Sequence, residues 1–195
     1  MELSNFPIAR YQFDFQVTEP IALPEYAGSA LRGAFGRALR KISCMTKQDD
    51  CKSCPLYRSC PYTNIFETPA PENHEIQQFS QVPNGYMIEP QGWGERTYQI
   101  GEIFSFNLVL FGRLTQQLPL IAFAFKRAFE WNIAGGKGEL IAIFLCNQHN
   151  QQTPILQKGN IIEHSQAVVL PENFANTLNI DLLTPLRLHK ITANL

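Results

Sequence analysis

Apolar residues along this chain recur first at every second position and then at every third or fourth, and the switches come in a definite order. From 8 to 17, Tyr11, Phe13, Phe15 and Val17 alternate with Arg10, Gln12, Asp14 and Gln16, the signature of a strand buried on one face. Glu19-Pro20 marks a turn and Pro24 suits a helix start. Ala27, Leu31, Ala34, Phe35, Ala38, Leu39 and Ile42 then follow at helical spacing, predicting an amphipathic helix over 24–42. TNIFET, after the cysteine-rich stretch, reads as a short strand, and 68–82 as a polar, extended loop. Gly85–Pro90 is expected to pair with Ile103–Phe111 across the turn-rich GWGERTYQIGE, with Phe104, Phe106, Leu108 and Leu110 sharing one face. A second helix is predicted over 116–131, ended by Gly135-Gly136-Lys137-Gly138, and an apolar strand over 139–146.

The order strand, helix, strand, strand, helix, strand predicts an α+β protein. Its expected form is a ferredoxin-like (RRM-like) βαββαβ sheet with two helices on one face. To this are added a cysteine-rich metal-binding insertion at 44–62 and a C-terminal strand extension. On this reading 1–150 is one domain. Residues 151–195 supply a hairpin and, at 177–188 (TLNIDLLTPLRL), the opening strand of a truncated second domain.

A chain of 195 residues with 45% hydrophobic content has the material for a real core. Its charged fraction, 17%, is low and leaves room for a partner surface. A formal net charge of −1 excludes a global electrostatic footprint for nucleic acid, so any such site must be a local basic patch. No run of 18 apolar residues offers a membrane span, and MELSNFPIARYQF lacks the plan of a signal peptide. Both points predict a cytoplasmic, reducing location, where clustered cysteines hold metal more often than they form disulfides.

Cys44, Cys51, Cys54 and Cys60 read C-x6-C-x2-C-x5-C within seventeen residues. Four thiolates at such spacing can close a tetrahedral S4 shell. Zinc is the first expectation and an iron–sulfur cluster the rival. A site with four protein ligands has no open position for water, so its expected role is structural. Cys146, alone in IAIFLC, reads as a buried core thiol.

Two basic features invite a phosphate backbone. Arg32, Arg37, Arg40 and Lys41 occupy the polar side of the first helix, with Gly28, Gly33 and Gly36 between them. This is either a solvated face or a track for RNA phosphates. Gly135, Gly136 and Lys137 form either a plain helix-ending turn or a loop presenting amides and an ammonium to RNA. The spacing excludes a nucleotide-binding P-loop, which needs a preceding strand and a Ser or Thr after the lysine. Of the histidines His74, His149, His164 and His189, no two share a metal spacing. Cleavage of RNA by its own 2′-hydroxyl needs a base, an acid and a cation. His74, Tyr26 and Lys41 (or Arg32) are the candidates for those roles.

LPEYAGSALRGAFGRALRKISC at 23–44 and CKSCPLYRSCPYTNIFET at 51–68, with GGKGE at 135–139 and TPLRLHK at 184–190, resemble the RAMP superfamily of CRISPR-associated proteins. The resemblance is greatest to its repeat-processing endoribonucleases. It implies a ferredoxin-like domain normally followed by a second, and binding of CRISPR repeat RNA. It also implies metal-independent cleavage to a 2′,3′-cyclic phosphate end, and company with other CRISPR-associated proteins. The family commonly uses a histidine near the first helix, and none stands in or directly after 24–42 here. The alternative expectation is a non-catalytic RAMP subunit, or a metal-stabilised interaction module, within a CRISPR ribonucleoprotein.

Overall fold

The structure, a computed structural model, describes residues 7–70 and 82–164. The first strand, β1 (Ile8–Glu19), buries Ala9, Tyr11, Phe13, Phe15 and Val17 on one face, as its alternation requires. It lies at the centre of the molecule. β1 pairs antiparallel with β5 (Ile103–Phe111), matching Phe13 to Phe106 and Phe15 to Phe104. On its other side it pairs antiparallel with β6 (Lys137–Cys146), with irregular register at Asp14/Phe15 and Val17/Glu19. β3 (Tyr86–Pro90) joins β5, and β7 (Gln152–Pro154) joins β6. The result is a five-stranded sheet in the order β3-β5-β1-β6-β7.

α1 (Ala27–Ser43) and α3 (Leu118–Trp131) supply the helical side of the core. A short 3₁₀ segment at Gly112–Gln117 leads into α3. The contact between sheet and helices is largely aromatic. Phe15 stacks on Phe129 with centroids 3.7 Å apart, and Phe35 of α1 stacks on Phe125 of α3 at 4.4 Å. Phe106 contacts Phe13, Phe125 and Phe129, so one ring cluster joins both central strands to α3. The opposite face of the sheet is mixed, with Arg10, Gln12, Asp14 and Gln16 beside Val109, Ala142 and Phe144 of the neighbouring strands. Arg10 pairs with Glu89 at 2.9 Å, and Gln152 donates to Gln12, which in turn donates to Asp14. These bonds run across β3, β1 and β7.

The structure departs from the sequence reading in four places. TNIFET is helical: α2 (Pro61–Phe66) opens on Pro61, whose fixed φ suits the first position of a helix. The turn-rich segment before β5 contains β4 (Arg96–Tyr98), which pairs with β2 (Ile21–Leu23) in a separate two-stranded ribbon. The glycines at 135–138 do not end α3, which stops at Trp131 with Asn132 as its cap. They form the turn that enters β6, where Ile133 and Gly136 exchange backbone hydrogen bonds. Beyond 150 the chain continues the first sheet through β7, and Ile155 is fully buried in the same core. A hairpin of β8 (Leu156–Gln157) and β9 (Asn160–Ile161) follows. The strand read at 177–188 lies outside the described residues, as does His74. No helix among the described residues is long and apolar enough to cross a membrane.

Candidate functional site

Two neighbourhoods collect the chemistry-bearing residues: the loop that follows α1, and the surface where α1 meets the end of α3. In the first, Cys44 stands at the C-cap of α1 and Cys60 at the N-cap of α2. Cys51 and Cys54 lie on a turn closed by the Cys54 amide donating to the Cys51 carbonyl at 3.1 Å. All four thiols are free, half-buried, and line one cavity of about 20 Å³ together with Arg40 and Tyr62. Among the described residues, no three His, Cys, Asp or Glu side chains already converge as a metal-holding group.

The electrostatics of the four thiols differ. The Lys47 amide is the main cause that lowers the Cys44 pKa, aided by Thr46 and the Arg40 charge and opposed by burial. Burial raises that of Cys51; Arg40 opposes it, and Glu67, Cys44 and Cys60 add to it. Arg40 itself reaches over the loop, donating from Nη2 to the carbonyls of Gln48 (2.8 Å) and Asp49 (2.7 Å). Its guanidinium also lies 6.0 Å from the centroid of Tyr62. Tyr62 donates its hydroxyl to Glu67 at 2.8 Å, and burial, with that carboxylate, pushes its pKa up. Arg40 is thus engaged by the cysteine loop.

The other predicted basic residues separate. Arg32 lies over the ring of Phe66, with Cζ 4.6 Å from the centroid, on the side of α1 that meets α2. Arg37 is exposed. Lys41 turns the other way, placing Nζ 4.0 Å from the centroid of Trp131 at the end of α3. There it joins Arg127, whose Cζ is 5.5 Å from Trp131 and 5.7 Å from Phe123. Phe123, Arg127 and Trp131 are spaced i, i+4, i+8 and form a stripe along α3. Glu130 pairs with Arg127 at 2.7 Å and with Lys126 at 4.0 Å, so Lys41, Lys126 and Arg127 outnumber the one carboxylate among them.

This stripe was not singled out in the sequence. Its signal was there, since Phe123 and Trp131 are large apolar residues just off the core positions of α3. Phe123 is 47% exposed.

The glycine turn begins two residues beyond Trp131. Gly136 sits against the backbone at the end of β1: a Cβ there would fall 2.6 Å from the Glu19 carbonyl oxygen and closer still to that of Pro20. Lys137 pairs with Glu19 at 2.7 Å. Both residues therefore have structural duties, and Gly135 is left at the exposed tip with φ +86°.

The catalytic candidates do not gather at one point. Tyr26 precedes the first residue of α1 and is 45% exposed, while Lys41 is in its last turn. At a rise of ~1.5 Å per residue they stand roughly 20 Å apart along the helix. They cannot serve one phosphate together without a large rearrangement.

No curated protein matches the chain. Residues 6–169 match a family described as an N-terminal domain, AF_1859_N. The match covers β1 through β9, the cysteine loop and the stripe on α3 alike, and the protein belongs to the AF_1859_N family.

Proposed function

We propose that this protein binds single-stranded RNA along the α1–α3 joint and the adjoining glycine turn. In this reading it is the N-terminal part of a RAMP-type endoribonuclease that processes CRISPR precursor RNA in the cytoplasm. The observation that carries RNA binding is the alternation of cations and rings at Lys41, Trp131, Arg127 and Phe123. Rings offer stacking surfaces that any base can use, and the cations between them offer phosphate contacts. The sheet face away from the helices is a weaker candidate. Tyr11, Phe13, Phe15, Phe104 and Phe106 are all buried, so the central strands present no such row of rings to a base.

The strand order supports a ferredoxin-like arrangement. Taken as the four strands of a βαββαβ unit, β1, β3, β5 and β6 lie side by side as β6-β1-β5-β3. α1 and α3 are the two crossovers. Cleavage rests on the sequence resemblance to repeat-processing RAMP enzymes, with Tyr26, Lys41 and His74 as the groups to test singly.

Fluorescence anisotropy with labelled repeat RNA, in EDTA and at several salt concentrations, tests the proposal. Tight binding that weakens steeply with salt, with a single cut ending in a cyclic phosphate, is the expected result. Binding without a cut would favour a non-catalytic subunit held among other CRISPR-associated proteins. An absence of binding would favour an interaction module and remove the RNA reading.

A further inference from the structure

We infer that Cys44, Cys51, Cys54 and Cys60 bind a single zinc ion, and that the ion fixes α2 against α1. The inference is independent of the RNA reading, because neither the site nor its test involves nucleic acid.

The four thiols open onto one cavity of about 20 Å³. A single water-sized occupant needs roughly 10–15 Å³ on the same measure. The space is enough to admit one ion among the four sulfurs. Soft thiolate donors in a set of four select zinc in a tetrahedral shell. Hydrogen-bond donors also stand beside two of the sulfurs. The Lys47 amide faces the Cys44 sulfur, and Lys47 adopts a left-handed φ of +54°. The Thr46 hydroxyl lies 3.3 Å from the Cys54 sulfur. Four thiolates around one divalent ion leave two negative charges, and the guanidinium of Arg40, clamped on the Gln48 and Asp49 carbonyls, sits on the cavity wall to offset them.

Apart from the Arg40 clamp and the Asp50 turn, the loop carries little regular structure. Met45 is 74% exposed, and residues 44–54 form no helix or strand. Sharing one ion requires this loop to contract and draw the sulfurs toward the centre of the cavity, since they do not yet converge there. Contraction has a consequence at a distance. Cys44 ends α1 and Cys60 begins α2, so an ion shared by them fixes the joint between the helices. At the far end of α2, Phe66 seats its ring where a Cβ on Gly36 would otherwise be, and carries Arg32 above it. A loaded site therefore holds Phe66 in its notch.

Elemental analysis of the full chain, purified without chelator from zinc-replete cells, is expected to give about one zinc per chain. A mercurial titration should release that zinc in step with four thiols. Cobalt(II) added to the stripped protein should give the absorption of a tetrahedral tetrathiolate. Hydrogen exchange of 61–66 should speed up on stripping and recover with zinc, and Cys54→Ser should lower bound zinc. Because that variant could fail to fold, the titration and exchange on the unaltered chain carry the test. Protein that is metal-free yet has the same slow exchange would overturn the inference. So would protein holding iron and sulfide, or protein with disulfides among these four.

Discussion

Gly36 and Gly136 are glycines because other atoms stand where a side chain would begin. At Gly36 the obstacle is the edge of the Phe66 ring, with Cε2 2.6 Å from a notional Cβ. At Gly136 it is the carbonyls of Glu19 and Pro20. A ring at the end of a side chain can swing away, but strand backbone cannot without breaking the β1–β6 ladder. Gly136→Ala should therefore cost more than Gly36→Ala, within or above the ~1–3 kcal/mol usual for overpacking. Urea unfolding of the two variants measures the order, and equal midpoints would contradict it. Cys146 is buried and its thiol pushed up by that burial, so it is expected to stay unmodified by iodoacetamide at pH 8 until denaturant is added. Peptide mapping would show this. Trp131→Ala removes the ring shared by Lys41 and Arg127 and should weaken RNA binding by about 1–3 kcal/mol. Trp93, exposed and well removed in sequence, is the control.

At the scale of elements, the ring cluster between sheet and helices sets the stability. Phe125 touches Phe13, Phe106 and Phe35, so Phe125→Ala should destabilise by about 3–5 kcal/mol, read from a denaturation midpoint. Elements of this kind were legible in the sequence because each is long enough to show its period. The alternation in β1 and the spacing of α1 are examples. α2 has only six residues, too few to separate a helical repeat from an apolar run, and the informative mark was Pro61 alone. The ribbon of β2 and β4 was hidden for another reason. Its three-residue strands are stabilised by each other across a wide gap in sequence, and local periodicity carries no trace of such a partner. The candidate sites divide in the same way. The cysteine spacing is written in adjacent residues. The directions taken by Arg32, Arg40 and Lys41 depend on Phe66, Tyr62 and Trp131, which other elements bring to them.

Across the whole molecule, charge is nearly balanced, so the proposed RNA contact depends on where individual cations are placed. Replacing Lys41 and Arg127 together with alanine should reduce the slope of log K against log salt by about 2, one for each lost phosphate contact. Replacing Arg40 should leave that slope alone and loosen the cysteine loop. Anisotropy at four salt concentrations distinguishes the two, and an unchanged slope in the double variant would remove the α1–α3 joint from the RNA reading. If the chain cleaves RNA as proposed, the separation of Tyr26 from Lys41 lets only one end of α1 lie at the scissile phosphate. The two outer strands carry a different message. β3 finishes at Pro90 and β7, only three residues long, at Pro154. Neither proline has an amide hydrogen to offer a newcomer. Among the described residues, each margin of the sheet therefore has one donor fewer for a further strand to pair with.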